Sequence, residues 1–305
     1  MSAPAIEGAP KRAATLHSRG PLSRGSRFFR TPKGLMLIIL AGLLGVATTQ
    51  TDAEWPRLLL AGAGTAAFLD MAIVFGVRGE WRFPSGALLT GLFIAGLIDP
   101  YERVEVVVVA STVAILAKHI VRIGGGHVFN PAALALVVTS LAFESGQSWW
   151  GALPDMGVVG VVAVGVSGWY MASRINKLPM VAAFLGAYFT AFTAAASFGQ
   201  ADGVAEVFRA PDLHAALFFA FFMLDDPPTS PVRYRDQAAF GAMVALTSFF
   251  VYMRFGVVYF LLAGLLAGNA IEAVRRATVR RRRRARSSKA RADAAGSDHT
   301  ARAAA

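Results

Sequence analysis

Residues 221–231 read FFMLDDPPTSP. Two adjacent carboxyl groups, Asp225 and Asp226, close an apolar run and are followed by prolines and by the hydroxyls of Thr229 and Ser230. A helix C-terminus already carries partial negative charge from unpaired carbonyls, so acids there call for a counter-charge or a cation. Carbonyls and carboxylates together at such a place suit an ion or a proton. The structural alternative is an ion pair from Asp226 to Arg233 or Arg235 that pins the loop. A second constellation is KHIVRIGGGHVFNP (118–131). Lys118 and Arg122 stand one helical turn apart and suit an anionic head group or a phosphate. Gly124, Gly125 and Gly126 interrupt the helix, and His127 and Asn130 lead into Pro131, a proline suited to the first turn of the next helix. Free backbone N–H groups beside glycine favour an anion or the polar edge of a ring. Here the structural alternative is a plain loop capped by Asn130. Asp70, inside the run RLLLAGAGTAAFLDMAIVFGV, and Asp99, just before Pro100, complete the set. An acid within an apolar run is a candidate for an ion or proton path, and the expected partner of Asp70 is an arginine or a lysine near the inner face, such as Arg78.

These residues must be held by helices in a bilayer. Of 305 residues, 55% are hydrophobic and only 16% charged, and mean hydropathy is +0.51. Ten apolar segments are expected as helices: 34–50, 56–77, 84–98, 104–122, 130–143, 156–173, 179–198, 211–224, 236–254 and 256–275. Residues 1–33 read as a disordered basic lead-in, and residues 276–305 as a disordered Arg-rich tail. The net charge of +11 is concentrated in those tails. Beside a membrane span, such a tail reads as a cytoplasmic segment touching anionic lipid and not as a nucleic-acid binder. With the N-terminus inside, the inner loops hold Arg78, Arg82, Lys118, Arg122, Arg174, Lys177, Arg233 and Arg235. The outer loops hold Arg57, Arg103, Arg209 and Arg254. The bias places both termini in the cytoplasm, as expected of a multi-pass protein of the cell's inner (plasma) membrane. No cysteine is present, which excludes disulfides, thiolate metal sites, cysteine-held iron–sulfur clusters and cysteine nucleophiles. His119, His127 and His214 offer no facing pair for haem.

Two segments look alike. PSGALLTGLFIAGLIDP (84–100) and PDLHAALFFAFFMLDDP (211–227) both end in Asp-Pro, with Asp99 and Asp226 spaced 127 residues apart. The same shift lays the first five segments on the second five. Repeats of about 34–143 and 156–275, five spans each, must then run in opposite directions, with Asp99 outside and Asp226 inside. Fifteen helical residues cover about 22 Å, short of a hydrocarbon core of about 30 Å. Short segments at matching places in inverted halves point to a midplane site lined by helix ends.

Several stretches resemble one family, the NqrB/RnfD membrane subunits. They are GHVFNPAALAL (126–136), RINKLPMVAAFLGAYF (174–189), FFAFFMLDDPPTSPVRYRDQAAFGA (218–242) and FGVVYFLLAGLLAGNAIE (255–272). The third is similar to a Phe-rich stretch ending in Thr-Asp-Pro-x-Thr, with Asp226 at the motif aspartate and Asp225 where threonine is usual. The resemblance implies ten spans in two inverted five-helix repeats, similar to urea channels. It also implies service in a redox-driven ion pump alongside other membrane and redox subunits, never as an enzyme alone. Members with covalent FMN attach it to a threonine in a Ser-x-x-Thr-type motif after the fifth span. Here ESGQSWWGALPD (144–155) has Ser145 and Ser148 but no threonine, and Thr139 lies deep in the apolar run. Covalent FMN is therefore not expected. Non-covalent FMN, riboflavin or quinone are the candidate cofactors, with Trp149 and Trp150 available either to stack on a ring or to sit in an interfacial belt. The rings of Phe218, Phe219, Phe221 and Phe222 are expected to pack or to face lipid. The alternative function is a channel or carrier for a small solute or ion on the same fold; the blandest is an assembly subunit.

Overall fold

The structure, a computed structural model, describes residues 28–50, 54–123 and 126–303. The lead-in over 1–33 thus falls almost wholly outside the described residues, as do Gly124 and Gly125. Ten principal helices lie over the ten expected spans: α1 (Pro32–Ala47), α2 (Trp55–Arg78), α3 (Ser85–Leu97), α4 (Val104–Ile120) and α5 (Pro131–Phe143), then α6 (Gly157–Arg174), α7 (Leu178–Ala195), α8 (Asp212–Met223), α9 (Tyr234–Phe255) and α10 (Phe260–Ala303). Local chemistry sets their ends. Thr31 caps α1 by accepting from the Gly34 N–H, and prolines occupy the first turns of α1, α2, α5 and α7. Gly79 and Gly256, both left-handed, end α2 and α9.

Helices α1, α2, α6, α7 and α9 are long and apolar enough to cross a membrane, while α3, α5 and α8 are short and apolar. Leu60, Phe68, Val158, Val166 and Phe250 are each more than half exposed on the outside of the bundle. Water would penalise that arrangement and lipid rewards it. The chain is an all-α polytopic membrane protein.

Helix α2 packs on α4 as α7 packs on α9, α4 on α5 as α9 on α10, and α1 on α3 as α6 on α8. The first five helices meet the second five where α1 touches α6 and α5 touches α10. Small residues let neighbouring helices approach backbone to backbone. A Cβ added to Gly91 of α3 would collide with the Gly62 carbonyl of α2, and one on Gly241 of α9 with the Met180 carbonyl of α7.

Aromatic rings fill the centre. Phe218, Phe219, Phe221 and Phe222 are all buried, so this run is packing and not lipid surface. Phe218 meets Phe93 of α3 at 6.1 Å and Trp149 of the connecting segment at 6.4 Å. Trp149 is buried, and Trp150 donates its ring N–H to the Ala47 carbonyl at 3.1 Å. Trp149 is packed at the seam, and the ring N–H of Trp150 is committed to α1.

One expectation changes. The Arg-rich segment from residue 276, read as disordered, continues α10 as helix to Ala303. It contains no proline and one glycine and is rich in Ala and Arg, both strong helix formers, so a helix already nucleated in the bundle propagates outward.

Candidate functional site at the broken helices

Helix α8 is seven α-helical residues followed by a five-residue π turn, Phe219–Met223, closed by the Leu224 N–H on the Phe219 carbonyl at 2.9 Å. A π turn spreads the backbone and re-aims the residues that follow, and such turns concentrate at functional sites. It delivers Asp225 into the protein. The Asp225 carboxyl group is fully buried, and neither of its oxygens has a hydrogen-bond partner among the described residues. An unpaired buried carboxyl group costs several kcal/mol if ionised, of order that seen for uncompensated buried charges.

Asp226 takes a different course. It is partly exposed, and its Oδ2 accepts from the Thr229 hydroxyl at 3.0 Å. Its carbonyl accepts from the Ser230 hydroxyl at 2.7 Å and from the N–H groups of Thr229 and Ser230. Asp226, Thr229 and Ser230 thus fold DDPPTSP into a tight turn. The expected ion pair to Arg233 or Arg235 is not formed. The counter-charge is Lys177, at the start of α7, which donates its ammonium to the Ser230 hydroxyl at 2.9 Å and the Pro231 carbonyl at 2.5 Å. Lys177 is only 5% exposed. Burial pulls its amine below the ordinary value, and Asp225, Asp226 and Glu272 oppose that. In the sequence Lys177 is one more loop charge; no local signal marks it as buried.

The glycine break forms a short hairpin, Arg122–Ile123 paired with Gly126–His127. The His127 Nδ1 is buried without a partner among the described residues. Burial, then Lys118, Arg122, Lys33 and Arg276, push the imidazole down to about 4, so it is neutral at physiological pH. Lys33 and Lys118 also lie within electrostatic reach of Asp226, so the hairpin and the turn share one charged neighbourhood.

Asn130 ties α5 to the second five helices. Its Oδ1 accepts from the Ala133 N–H at 3.1 Å and so caps α5. Its Nδ2 donates to the Met223 carbonyl at 3.3 Å, at the end of the π turn. Its backbone N–H donates to the Asn269 Oδ1 at 2.9 Å, and the Asn269 Nδ2 reaches the Thr229 carbonyl at 3.5 Å. The structure therefore brings together Asn130, Asp225, Asp226, Thr229 and Ser230, and adds Asn269 and Lys177.

Other candidates stand apart. Asp70 has a lysine as its basic partner, Lys118 at 3.0 Å and not Arg78, and His119 at 2.9 Å joins it on the same Oδ1. Lys118 is thereby committed to a carboxylate among the first five helices. Asp99 closes its own turn, accepting from the Tyr101 N–H at 2.9 Å and donating its N–H to the Gly146 carbonyl at 3.2 Å. Its loop is held by the 144–149 segment, whose Ser148 donates to the Ile98 carbonyl, much as Arg276 donates to the Pro228 carbonyl beside Asp226. Thr139 is buried and spends its hydroxyl on the carbonyls of Ala135 and Leu136. His214 is buried against the Ala152 carbonyl.

Beyond the Asp226 turn opens a cavity of about 480 Å³, bounded by Pro227, Ser230 and Pro231, by the start of α9 and by the stretch of α10 that carries Glu272 and Arg275. Of the described residues that chemistry and spacing marked as a site, Ser230 alone lines it.

Fold and site together define a helical membrane protein with an acidic, helix-breaking junction. The chain is similar to the D subunit of the ion-translocating oxidoreductase complex of Shewanella sediminis, 32% identical over 131 residues, 41% of this chain and 37% of that protein. It is 30% identical over 127 residues to the corresponding protein of Escherichia coli, covering 40% of this chain and 36% of that protein. The chain thus spans well under half the length of these relatives. No family model matches it.

Proposed function

We propose that this chain is an inner-membrane subunit of a redox-driven, ion-translocating electron transport complex, working beside other membrane and redox subunits. The observation that carries the reading is Asp225: a fully buried, unbonded carboxyl group on a π turn, in a chain similar to a component of such complexes. Its two halves run in opposite directions through the bilayer, with Asp99 at the outer face, Asp226 at the inner face and both termini inside. The loop charge bias and the repeated packing support that arrangement.

The group held at the inner junction is a non-covalently bound flavin (FMN or riboflavin) or a quinone. The orphaned polar atoms fit such a group. The neutral His127 Nδ1 and the Asp225 carboxyl group are each left unsatisfied by the described protein groups, so each is open to a carbonyl or N–H of such a ring. When bound, the group supplies electron transfer; the protein supplies binding and charge. Asp226 and Thr229 orient the turn, Lys177 holds it, and Asp225 takes up or releases a cation or proton as the local charge changes. An open solute path is the weaker reading, because buried rings of Phe218, Phe219, Phe222 and Trp149 occupy the seam.

Gentle purification followed by absorption spectroscopy and quinone extraction tests this. A flavin spectrum or bound quinone is expected, lowered by Asp225→Leu. Absence of both, with no uptake on incubation with FMN, riboflavin or quinone, refutes it.

A further inference from the structure

We infer that the cavity beside the Asp226 turn seats the phosphate of an anionic phospholipid. Four guanidinium groups, Arg233, Arg275, Arg276 and Arg280, line it against two carboxylates, Asp236 and Glu272. The lining therefore carries two positive charges in excess. Arg275 is engaged by both acids, at 2.7 Å to each, and Arg276 donates to the Pro228 carbonyl at 2.5 Å. Arg233 makes no ion pair among the described residues and is exposed at the rim. Forked guanidinium groups match phosphate oxygens in pairs.

Two features favour a lipid over a free phosphate. The cavity lies where α10 changes from the apolar run 260–266 to Arg275 and Arg276, the level at which a spanning helix leaves the hydrocarbon. Its mouth also carries apolar Val232, 83% exposed, and Val279, 44% exposed, beside the arginines. An apolar lip around a basic cavity on an inner membrane face suits a head group with its acyl chains still in the bilayer. At about 480 Å³ the space is ample for a glycerophosphate group. Ser230 and Pro227 belong to the same wall, so an occupant braces the far side of the turn that presents Asp225 and Asp226. Nothing in this cavity requires redox chemistry.

Native mass spectrometry of the full chain in mild detergent, titrated with phosphatidylglycerol, with phosphatidylcholine of the same acyl chains, or with inorganic phosphate, tests it. One tightly held phosphatidylglycerol per chain is expected, with phosphatidylcholine and inorganic phosphate unable to displace it. Arg233→Ala should weaken binding about 5-fold, the contribution of one interfacial arginine, while Arg233→Lys recovers most of it. Equal binding of the two lipids, or an Arg233→Ala variant with unchanged affinity and unchanged helical content, overturns the inference. Displacement of the lipid by inorganic phosphate overturns the lipid as the source. Because no redox measurement enters, failure here is distinguishable from failure of the proposed function.

Discussion

Asn130 is the sharpest place to test how the first five helices hold the second five. Asn130→Ala removes two side-chain bonds and leaves the backbone bond to Asn269 in place. Loss of the helix cap, a 3.1 Å bond to the Ala133 N–H, costs about 1 kcal/mol. Loss of the donor to Met223 strands a buried carbonyl, a cost of about 1–3 kcal/mol. That bond is long at 3.3 Å, so the lower half of the range applies, and the sum is roughly 2–3 kcal/mol. Asn130→Ser separates the two parts, because a serine hydroxyl still caps α5 but does not reach Met223. It should cost about 1 kcal/mol less than alanine, the value of the cap alone. Equilibrium unfolding in mixed micelles of a mild detergent and dodecyl sulfate, followed by helical signal, measures both. Alanine and serine variants that match each other refute the cap contribution. Both lying within about 0.5 kcal/mol of the parent refutes the junction altogether, since surface substitutions stay within that range.

Further outcomes follow from the same contacts. Lys177→Met should destabilise by about 3 kcal/mol in the same assay, because it strips two acceptors and an opposing charge from a buried turn. Asp225→Asn should leave stability unchanged or raise it by about 1 kcal/mol, because it removes an unpaired buried acid, while abolishing any ion-coupled activity of the reconstituted complex. His127 binds a proton more weakly in the folded protein than in the unfolded chain. Its contribution is therefore present above the ordinary histidine value of about 6.5 and lost as pH falls toward about 4, and His127→Gln should flatten melting temperature across that window. Gly91→Ala should prevent assembly of α3 on α2, read as loss of a monodisperse elution peak, whereas Gly64→Ala, with open space around it, should not.

The ten helices were legible because each is announced by an apolar run within its own length, helped in four of them by a proline in the first turn and in two by a glycine at the end. Asn130 before Pro131 likewise marked a helix cap. Helix formation and termination are short-range effects, so a linear reading captures them. Which groups meet across the bundle was a different matter. The choice of Lys118 and His119 over Arg78 as partners of Asp70, the burial of Lys177, the bond from Asn130 to Asn269 and the arginine-lined cavity all join residues dozens of positions apart. Those pairings depend on how far helices rotate and how closely Gly62 and Gly91 or Gly241 and Met180 allow them to approach. Only packing of the whole chain decides that, because in a bilayer every apolar face is equally content until shape complementarity selects its neighbour.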